Sequence, residues 1–348
     1  MHLIAMDDPH LLSAPYVWRH RGQGSGARIT ATMPGAYLRF TISGSTTVQL
    51  LIDGAVNAGC PADSRPVLEF SIDYGPFLVV ALTEIDHVYP LTLTAGLDPA
   101  APHRVDCYFR AADLTQQRWT SSRTHLCLAG VLLEEGGTVC PMPARPGLAI
   151  GFGDSITEGV GVDGLFTSWQ HLAVNNARCT WFPIVSEALG CEYGQVGSGG
   201  QGMVVSRELP ALHETWGQYD AAASRLTDGC LLPAPDYVFC NMGTNDFDCD
   251  ITEEYTRWLH AVRAACAQAR IYAIAPLLGW HSREIAHAVR ERQSGGDAQV
   301  WYIDTSPFHA AYSPDHATRL AYDGVHPNLY GNALFAAHIL TQVMQSGR

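Results

Sequence analysis

The pattern of hydrophobic and polar positions changes at about residue 142. Before this point, short runs rich in β-branched and aromatic residues are separated by turn sequences such as Asp53-Gly54 and Glu135-Gly136-Gly137. Short strands with such turns between them are typical of an antiparallel sandwich. The sequence therefore predicts an all-β sandwich (jelly-roll-like) accessory domain over residues 1–142, with strands near 36–42, 47–52, 67–72, 77–82, 103–109 and 126–133.

Residues 143–348 instead alternate short apolar runs with segments of helical period. This alternation predicts an α/β domain in which helices cover both faces of a parallel sheet. Because the carboxyl ends of parallel strands meet at one edge of the sheet, we expect the polar loops that follow them to converge there. The expected strands lie near 148–153, 192–197, 236–242, 270–276 and 300–304, and the expected helices near 167–176, 180–189, 251–268, 283–293 and 329–345.

Composition narrows the range of partners. The chain has 348 residues and a formal net charge of −13, which argues against nucleic acid or an anionic membrane surface as a partner. All 21 basic residues are arginine, so a catalytic lysine, a Schiff base and a P-loop lysine are excluded.

The ten cysteines are scattered, without a C-x-x-C pair or the spacing of a zinc site. Free buried thiols of this kind are typical of a reducing compartment. The first residues do not resemble a signal peptide, and no apolar run reaches the length of a membrane span. We therefore expect a cytoplasmic protein without membrane contact, metal or cofactor.

A candidate nucleophile follows the first strand of the α/β part, where the run 148–152 leads into Gly153-Asp154-Ser155. Ser155 also begins the sequence Ser-Ile-Thr-Glu, which fits a capping box, so a helix N-cap is the alternative reading. Near the C-terminus, Asp323-x-x-His326 offers a base and a carboxylate to orient it. Together these residues are the nucleophile, base and orienting group that a serine hydrolase requires.

Two further loops could hold a developing oxyanion. Asn245 follows the third predicted strand, and its amide could donate to that oxygen, although an ordinary turn has the same composition. Residues 197–202, here called the glycine loop, read Gly-Ser-Gly-Gly-Gln-Gly. They match the G-x-G-x-x-G of dinucleotide-binding oxidoreductases, which stays an alternative, but we favour a tight loop whose backbone N–H faces an acyl oxygen.

Other polar and aromatic positions have weaker signals. Asp246, Asp248 and Asp250 have the spacing of calcium ligands, but Ile251 and Arg257 replace the glycine and glutamate that a calcium loop needs. Trp280 and His281 follow the fourth strand, and with Ile156 they are candidates for lining the substrate pocket. A tryptophan packed within its loop is the alternative.

Residues 148–348 resemble the SGNH (GDSL-type) hydrolases. The resemblance lies in Gly153-Asp154-Ser155, the glycine loop, Gly243-Thr244-Asn245-Asp246 and Asp323-x-x-His326, in the order and spacing of the four family blocks. It implies a flavodoxin-like three-layer catalytic domain over residues 143–348, with Ser155 as nucleophile, His326 as base and Asp323 as orienting group. It also implies an oxyanion hole formed by Ser155, Gly200 and Asn245, with Gly199 as the alternative glycine. Gln195 stands near the place of the asparagine that is usual in the second block.

The N-terminal part is similar to the β-sandwich of carbohydrate esterase family 2, through Ile52-Asp53-Gly54, Ser71-Ile72-Asp73-Tyr74-Gly75, His103-Arg104-Val105 and the strand 130–133. This resemblance implies removal of O-acetyl groups from carbohydrates of the xylan or xylo-oligosaccharide type. Some members of that family rely on a Ser–His dyad, which leaves the need for Asp323 open. A general short-chain acyl or aryl esterase and a non-catalytic carbohydrate-binding protein are the alternatives, and the sandwich could also support a homo-oligomer.

Overall fold

The computed structural model describes residues 1–116, 118–120, 123–168, 172–207 and 209–346. Its N-terminal region, up to residue 142, consists of short strands joined by turns and single 3-10 turns. In chain order these strands are β1 (His2–Ile4), β2 (Leu12–Ser13), β3 (Arg19–Arg21), β4 (Arg28–Ala31), β5 (Tyr37–Ser43), β6 (Thr47–Asp53), β7 (Val67–Ile72), β8 (Leu78–Ala81), β9 (Val88–Ala95), β10 (His103–Ala111), β11 (Leu126–Leu133) and β12 (Thr138–Cys140).

These strands form two antiparallel sheets. The first has the order β3-β4-β11-β6-β9, with β1 also paired to β11, and the second has the order β12-β5-β10-β7-β8, with β2 also paired to β5. In β6 the side chains of Val48, Leu50 and Ile52 are buried, while the residues between them are partly exposed. This period of two is that of a strand with one face on a hydrophobic core.

Strand β5 of the second sheet is buried on both faces. Leu38 and Phe40 of β5 lie in the hydrophobic core, and the opposite face of that strand presents Tyr37 and Arg39, which are also buried. Both of these polar side chains bind Glu192, which lies in the parallel-sheet part of the chain. The second antiparallel sheet therefore packs its polar face against the C-terminal region, and this explains why it carries buried charges.

The C-terminal region, from residue 143 onward, has a parallel sheet, two small hairpins and covering helices. Its strands are β13 (Gly147–Gly153), β14 (Cys191–Gly197), β15 (Gln218–Asp220), β16 (Ala223–Ser224), β17 (Leu226–Thr227), β18 (Cys230–Leu231), β19 (Tyr237–Asn241), β20 (Arg270–Ile274) and β21 (Val300–Ile303). Its helices are α1 (Ser155–Glu158), α2 (Trp181–Ala188), α3 (Leu212–Thr215), α4 (Thr252–Ala265), α5 (Ser282–Ser294) and α6 (Leu329–Ser346).

The parallel sheet has the strand order β14-β13-β19-β20-β21. Numbered along the chain, this is the order 2-1-3-4-5 of flavodoxin-like folds, in which the direction of winding reverses beside the first strand. Helices α2 and α6 pack together, as do α4 and α5. Right-handed crossovers to opposite sides of β13 place α2 on one face of the sheet and α4 and α5 on the other. The loops after β13, β14 and β19 consequently meet at the carboxyl edge.

All five strands expected for the parallel sheet are present, and four of the expected helices correspond to α2, α4, α5 and α6. Within the helix expected over 167–176, the described residues form only a 3-10 turn at Leu172–Val174. Residues 169–171 of this segment lie outside the described residues. The last antiparallel strand ends at Cys140 and the first parallel strand begins at Gly147. The expected boundary between residues 142 and 143 falls between them and stays a prediction.

All ten cysteines lie among the described residues, and each is a free thiol. In the described part of the chain, no helix combines the length and the apolar character needed to cross a lipid bilayer.

Candidate active site

Ser155 is presented at the carboxyl edge of the sheet by a sharp change from strand to helix. Strand β13 ends at Gly153 and α1 begins at Ser155. A Cβ atom on Gly153 would lie 1.9 Å from the hydroxyl oxygen of Thr157, so only glycine fits there. The N-cap of α1 is Asp154, whose carboxylate accepts the N–H of Ile156 at 2.9 Å. The capping role therefore belongs to Asp154, and the hydroxyl of Ser155 is not used for it.

The loop that holds His326 is shaped by Asp323. One carboxylate oxygen of Asp323 accepts the backbone N–H groups of Val325 and His326, at 3.0 Å and 2.8 Å. Gly324, between Asp323 and Val325, has φ of +82°, and a Cβ atom there would lie 1.7 Å from the carbonyl oxygen of Ser313. The turn thus requires glycine, and it places the imidazole of His326 beside the carboxylate that begins the turn.

The three predicted catalytic residues meet in space. Nε2 of His326 lies 2.8 Å from Oγ of Ser155, and Nδ1 lies 2.5 Å from the second carboxylate oxygen of Asp323. Ser155 is 5% exposed and His326 is 8% exposed. Burial by itself would raise the pKa of Asp323, but hydrogen bonds from the ring and backbone of His326 hold that pKa below its ordinary value. Asp323 is therefore an ionised partner for the imidazole at neutral pH.

The glycine loop turns tightly beside helix α1. The carbonyl oxygen of Ser198 accepts the N–H of Gln201 at 3.2 Å, and Gly200 has φ of +74°. A left-handed residue at this position of a turn favours glycine. The N–H of Gly199 donates to the carboxylate of Glu158 at 2.6 Å. Among the described residues, the N–H of Gly200 meets no acceptor, which makes Gly200 the better placed of the two glycines for an oxyanion.

Asn245 lies against the same loop, since its Nδ2 donates to the carbonyl oxygen of Gln201 at 3.0 Å. The next residue, Asp246, is fully buried and accepts the consecutive N–H groups of Met203, Val204 and Val205 at 2.7–2.9 Å. Asp246 therefore fixes the segment that follows the glycine loop, a role that its calcium-type spacing does not suggest.

The three residues predicted to line the pocket lie in different environments. The ring of Trp280 packs edge-on against Phe247, at 5.1 Å between centroids, and Phe247 is 55% exposed two positions after Asn245. Nε2 of His281 donates to the backbone oxygen of Asp246, so His281 supports the loop. Ile156 is 1% exposed and belongs to the hydrophobic core. This placement does not support the predicted contact between Ile156 and substrate.

Two further residues near the site have no signal as functional groups in the sequence. The ring of Phe166 lies 5.6 Å from that of His326, and Phe166 is half-buried, so it forms a wall beside the base. The carboxylate of Asp154 is buried, and desolvation raises its pKa to about 6. Hydrogen bonds to the carboxylate and the charge of His326 act in the opposite direction and lower this pKa, but desolvation is the larger effect. Gln195 is also buried and donates to the carbonyl oxygens of Thr157 and Ala177, which makes it a structural residue.

The model of the GDSL-like Lipase/Acylhydrolase family matches residues 152–334. Among solved structures, a family two carbohydrate esterase from Cellvibrio japonicus is similar with a TM-score of 0.78 and 21% identity, over 99% of this chain and 97% of that chain. An acetyl xylan esterase, Est2A, from the rumen bacterium Butyrivibrio proteoclasticus has a TM-score of 0.77 and 16% identity, over 99% of both chains.

A salicylyl-acyltransferase, SsfX3, from a tetracycline biosynthetic pathway has a TM-score of 0.64 and 16% identity, over 99% of this chain and 97% of that chain. At these identities the likeness concerns the fold, and it extends over both the antiparallel and the parallel sheets. None of the curated proteins matches the sequence significantly.

Proposed function

This chain belongs to the GDSL-like Lipase/Acylhydrolase family and is a carboxylic ester hydrolase, and we propose that it is a serine esterase that removes O-acetyl groups from carbohydrates. The observation that carries this proposal is the contact of 2.8 Å between Nε2 of His326 and Oγ of Ser155. A hydroxyl in this contact with a neutral imidazole can be deprotonated as it attacks a carbonyl carbon.

The reaction proceeds through an acyl-enzyme. Oγ of Ser155 bonds to the acetyl carbon while Nε2 of His326 takes the hydroxyl proton, and the carbonyl oxygen becomes an oxyanion. The imidazolium then gives that proton to the departing sugar oxygen as the old ester bond breaks. Water attacks the acetyl-enzyme by the same route, which releases acetate and restores the hydroxyl of Ser155.

The donors that we propose for the oxyanion are the backbone N–H of Ser155, the backbone N–H of Gly200 and the side-chain amide of Asn245. The first two have no acceptor among the described residues, and Asn245 uses one of its two amide hydrogens on Gln201. Donors that are fixed before the reaction stabilise the charge without reorganisation at the moment of attack.

A carbohydrate substrate is supported by the fold shared with two carbohydrate esterases and by aromatic rings around the site. Phe247, which is exposed, and Trp280, which is half-buried, form an aromatic pair close in sequence to Asn245 and His281, and Phe166 lies beside His326. Aromatic side chains pack well against the apolar faces of sugar rings while the hydroxyl groups stay in water. We infer that an acetylated xylo-oligosaccharide is a suitable substrate, and that the protein acts in the cytoplasm.

The test is acetate release from acetylated xylo-oligosaccharides, compared with p-nitrophenyl esters of increasing acyl length, by the wild type and by Ser155→Ala. We expect a strong preference for two-carbon acyl groups and no hydrolysis by a folded Ser155→Ala variant. Labelling by a serine-directed phosphonate at Ser155 separates an enzyme from a carbohydrate-binding protein on the same scaffold. Hydrolysis by Ser155→Ala would overturn the proposal, and hydrolysis of short-chain p-nitrophenyl esters without acetate release from the oligosaccharides would favour the general short-chain acyl or aryl esterase.

A further inference from the structure

We propose that Arg118 of the N-terminal region is a positioning residue for the oxyanion hole, and that it acts through Glu158 on the glycine loop. The inference rests on the proposed function, because it concerns the site at which Ser155 would act. It assigns to the antiparallel region a part in forming the catalytic site, beyond any contact with carbohydrate.

Arg118 reaches from the N-terminal region to a helix of the C-terminal region. Its Nη1 lies 2.8 Å from Oε1 of Glu158, and its Nη2 donates to Oε2 at 3.1 Å. Arg118 is 1% exposed and Glu158 is 3% exposed. A buried carboxylate without a partner is strongly unfavourable, so the fixed position of Glu158 depends on the guanidinium that faces it.

Glu158 in turn holds the glycine loop. Oε2 of Glu158 accepts two hydrogen bonds, one from Nη2 of Arg118 and one from the N–H of Gly199 at 2.6 Å. A Cβ atom on Gly199 would lie 2.4 Å from the side chain of Leu114, which is also from the N-terminal region. Gly199 is therefore held through its N–H by Glu158 and packed at its Cα against Leu114.

The position of Gly199 determines where the next N–H points. Gly199 and Gly200 are the two central residues of the turn closed by the hydrogen bond from Gln201 to Ser198. The peptide between two central turn residues can rotate when its neighbours are loose, and glycines at both positions remove the steric barrier. The hydrogen bond to Glu158 fixes the peptide before Gly199, and this restricts the rotation of the next peptide, which carries the Gly200 N–H, the proposed donor to the oxyanion.

Helix α1 connects this contact to the nucleophile. It begins at Ser155 and ends at Glu158, so one short helix carries the attacking hydroxyl at its start and the loop-holding carboxylate at its end. A shift of Glu158 would change the distance between the Ser155 N–H and the Gly200 N–H. Misplacement of catalytic groups by about 1 Å is enough to lower a rate by about 100-fold.

The experiment is a double-mutant cycle with Arg118→Met and Glu158→Gln, assayed on p-nitrophenyl acetate and compared by kcat, KM and melting temperature. Each single variant leaves one buried charge unpaired, and we expect kcat to fall by about 10- to 100-fold with KM within about threefold. The double variant has no buried charge, and the glutamine oxygen can still accept the N–H of Gly199. We expect its kcat to be higher than that of either single variant.

A matched control separates positioning from general loss of stability. Arg39 and Glu192 form another buried ion pair between the two regions, with both residues 3% exposed. In the part of the chain that the structure describes, the polar partners of Glu192 are Tyr37, Arg39 and Arg145, and none of them belongs to the glycine loop. Arg39→Met should lower the melting temperature while kcat stays within about twofold of the wild type.

If Arg118→Met does not fold, Arg118→Lys replaces it, since lysine keeps the charge but cannot bond both carboxylate oxygens in the same plane. Its kcat should fall by about three- to tenfold at a temperature where it is fully folded. A folded Arg118 variant with wild-type kcat, an equal loss of kcat in Arg39→Met, or a double variant as slow as Arg118→Met would overturn the inference. If the wild-type protein hydrolyses no ester, the proposed function is overturned instead. This outcome is measured on the wild type alone, so it can be distinguished from a failure of the inference about Arg118.

Discussion

The carboxylate of Asp323 binds both the backbone and the ring of His326. One oxygen accepts the backbone N–H at 2.8 Å, and the other lies 2.5 Å from Nδ1. The same side chain therefore shapes the turn and orients the imidazole toward Ser155. The carboxylate fixes one orientation of the imidazole ring, in which Nε2 faces the nucleophile. Orienting the base in this way is the role of the third member of a catalytic triad.

The first prediction concerns Asp323→Asn, which keeps an oxygen for the backbone N–H groups but removes the charge. Because the pKa of Asp323 lies below its ordinary value, the wild-type residue is ionised at neutral pH, and the substitution tests this charge directly. If Asp323 completes a triad, kcat should fall by roughly 1,000- to 10,000-fold, close to the loss in His326→Ala. The measurement is kcat for p-nitrophenyl acetate at pH 7.5 for both variants.

Asp315→Asn is the control for this comparison, since Asp315 is exposed on the same loop and should tolerate the change without loss of rate. A loss below about tenfold in Asp323→Asn, beside a complete loss in His326→Ala, would indicate a Ser–His dyad in which the carboxylate serves mainly the turn.

The second prediction concerns Asn245→Ala. The amide of Asn245 lies against the glycine loop, and its second hydrogen is available to the oxyanion. Removal of one such donor typically costs about 100- to 1,000-fold in kcat, with KM little changed, because the donor acts on the transition state. Asp248→Asn is the matched control, since Asp248 is exposed on the same segment and asparagine tolerates its left-handed backbone, with φ of +57°. Equal kcat in Asn245→Ala and wild type would remove Asn245 from the oxyanion hole.

The sequence is most informative where the chemistry lies in contiguous residues. Asp323 and His326 share one turn, and Ser155 lies two positions after the end of a strand, so residue type and spacing predict them as candidate catalytic residues. Four strands of the parallel sheet, β13, β19, β20 and β21, are predicted for a similar reason, because each is a short and mainly apolar run. The sequence pattern does not predict strand β9, since it contains Pro90, which a central strand excludes but which β9 accommodates at the edge of its sheet.

Contacts between distant segments cannot be predicted from the sequence. Glu158 has the position of the last residue of a capping box, yet it holds Gly199 and pairs with Arg118, 40 residues earlier in the chain. Phe166 lies in a loop without any motif, and only the packing brings it to His326. The position of Ile156 after Ser155 suggests a place in the pocket, but successive residues of a helix point about 100° apart, and its side chain enters the core.

The third prediction concerns Asp154→Asn and links stability to pH. Desolvation raises the pKa of Asp154 from 3.8 to about 6 in the folded protein. Between these two values the folded protein holds a proton that the unfolded chain has released, so the free energy of unfolding decreases as pH rises through this window and stays lower above it. Asparagine removes the buried charge while its oxygen still accepts the N–H of Ile156. We therefore expect Asp154→Asn to stabilise the protein at pH 7.5 by about 1–3 kcal/mol, and to lose this advantage near pH 4.

The measurement is the free energy of unfolding by urea at pH 4, 5, 6 and 7.5, with kcat followed in parallel. Since the charge of Asp154 attracts the His326 imidazolium that forms during the reaction, kcat of Asp154→Asn should fall by about three- to tenfold as stability rises. Asp236→Asn serves as control, because Asp236 also accepts a backbone N–H, that of Leu148, but is exposed. A variant whose stability relative to wild type is the same at pH 4 and pH 7.5 would show that Asp154 carries no burial penalty. In that case the role of Asp154 would be limited to its packing next to Ser155 and its hydrogen bond from the N–H of Ile156.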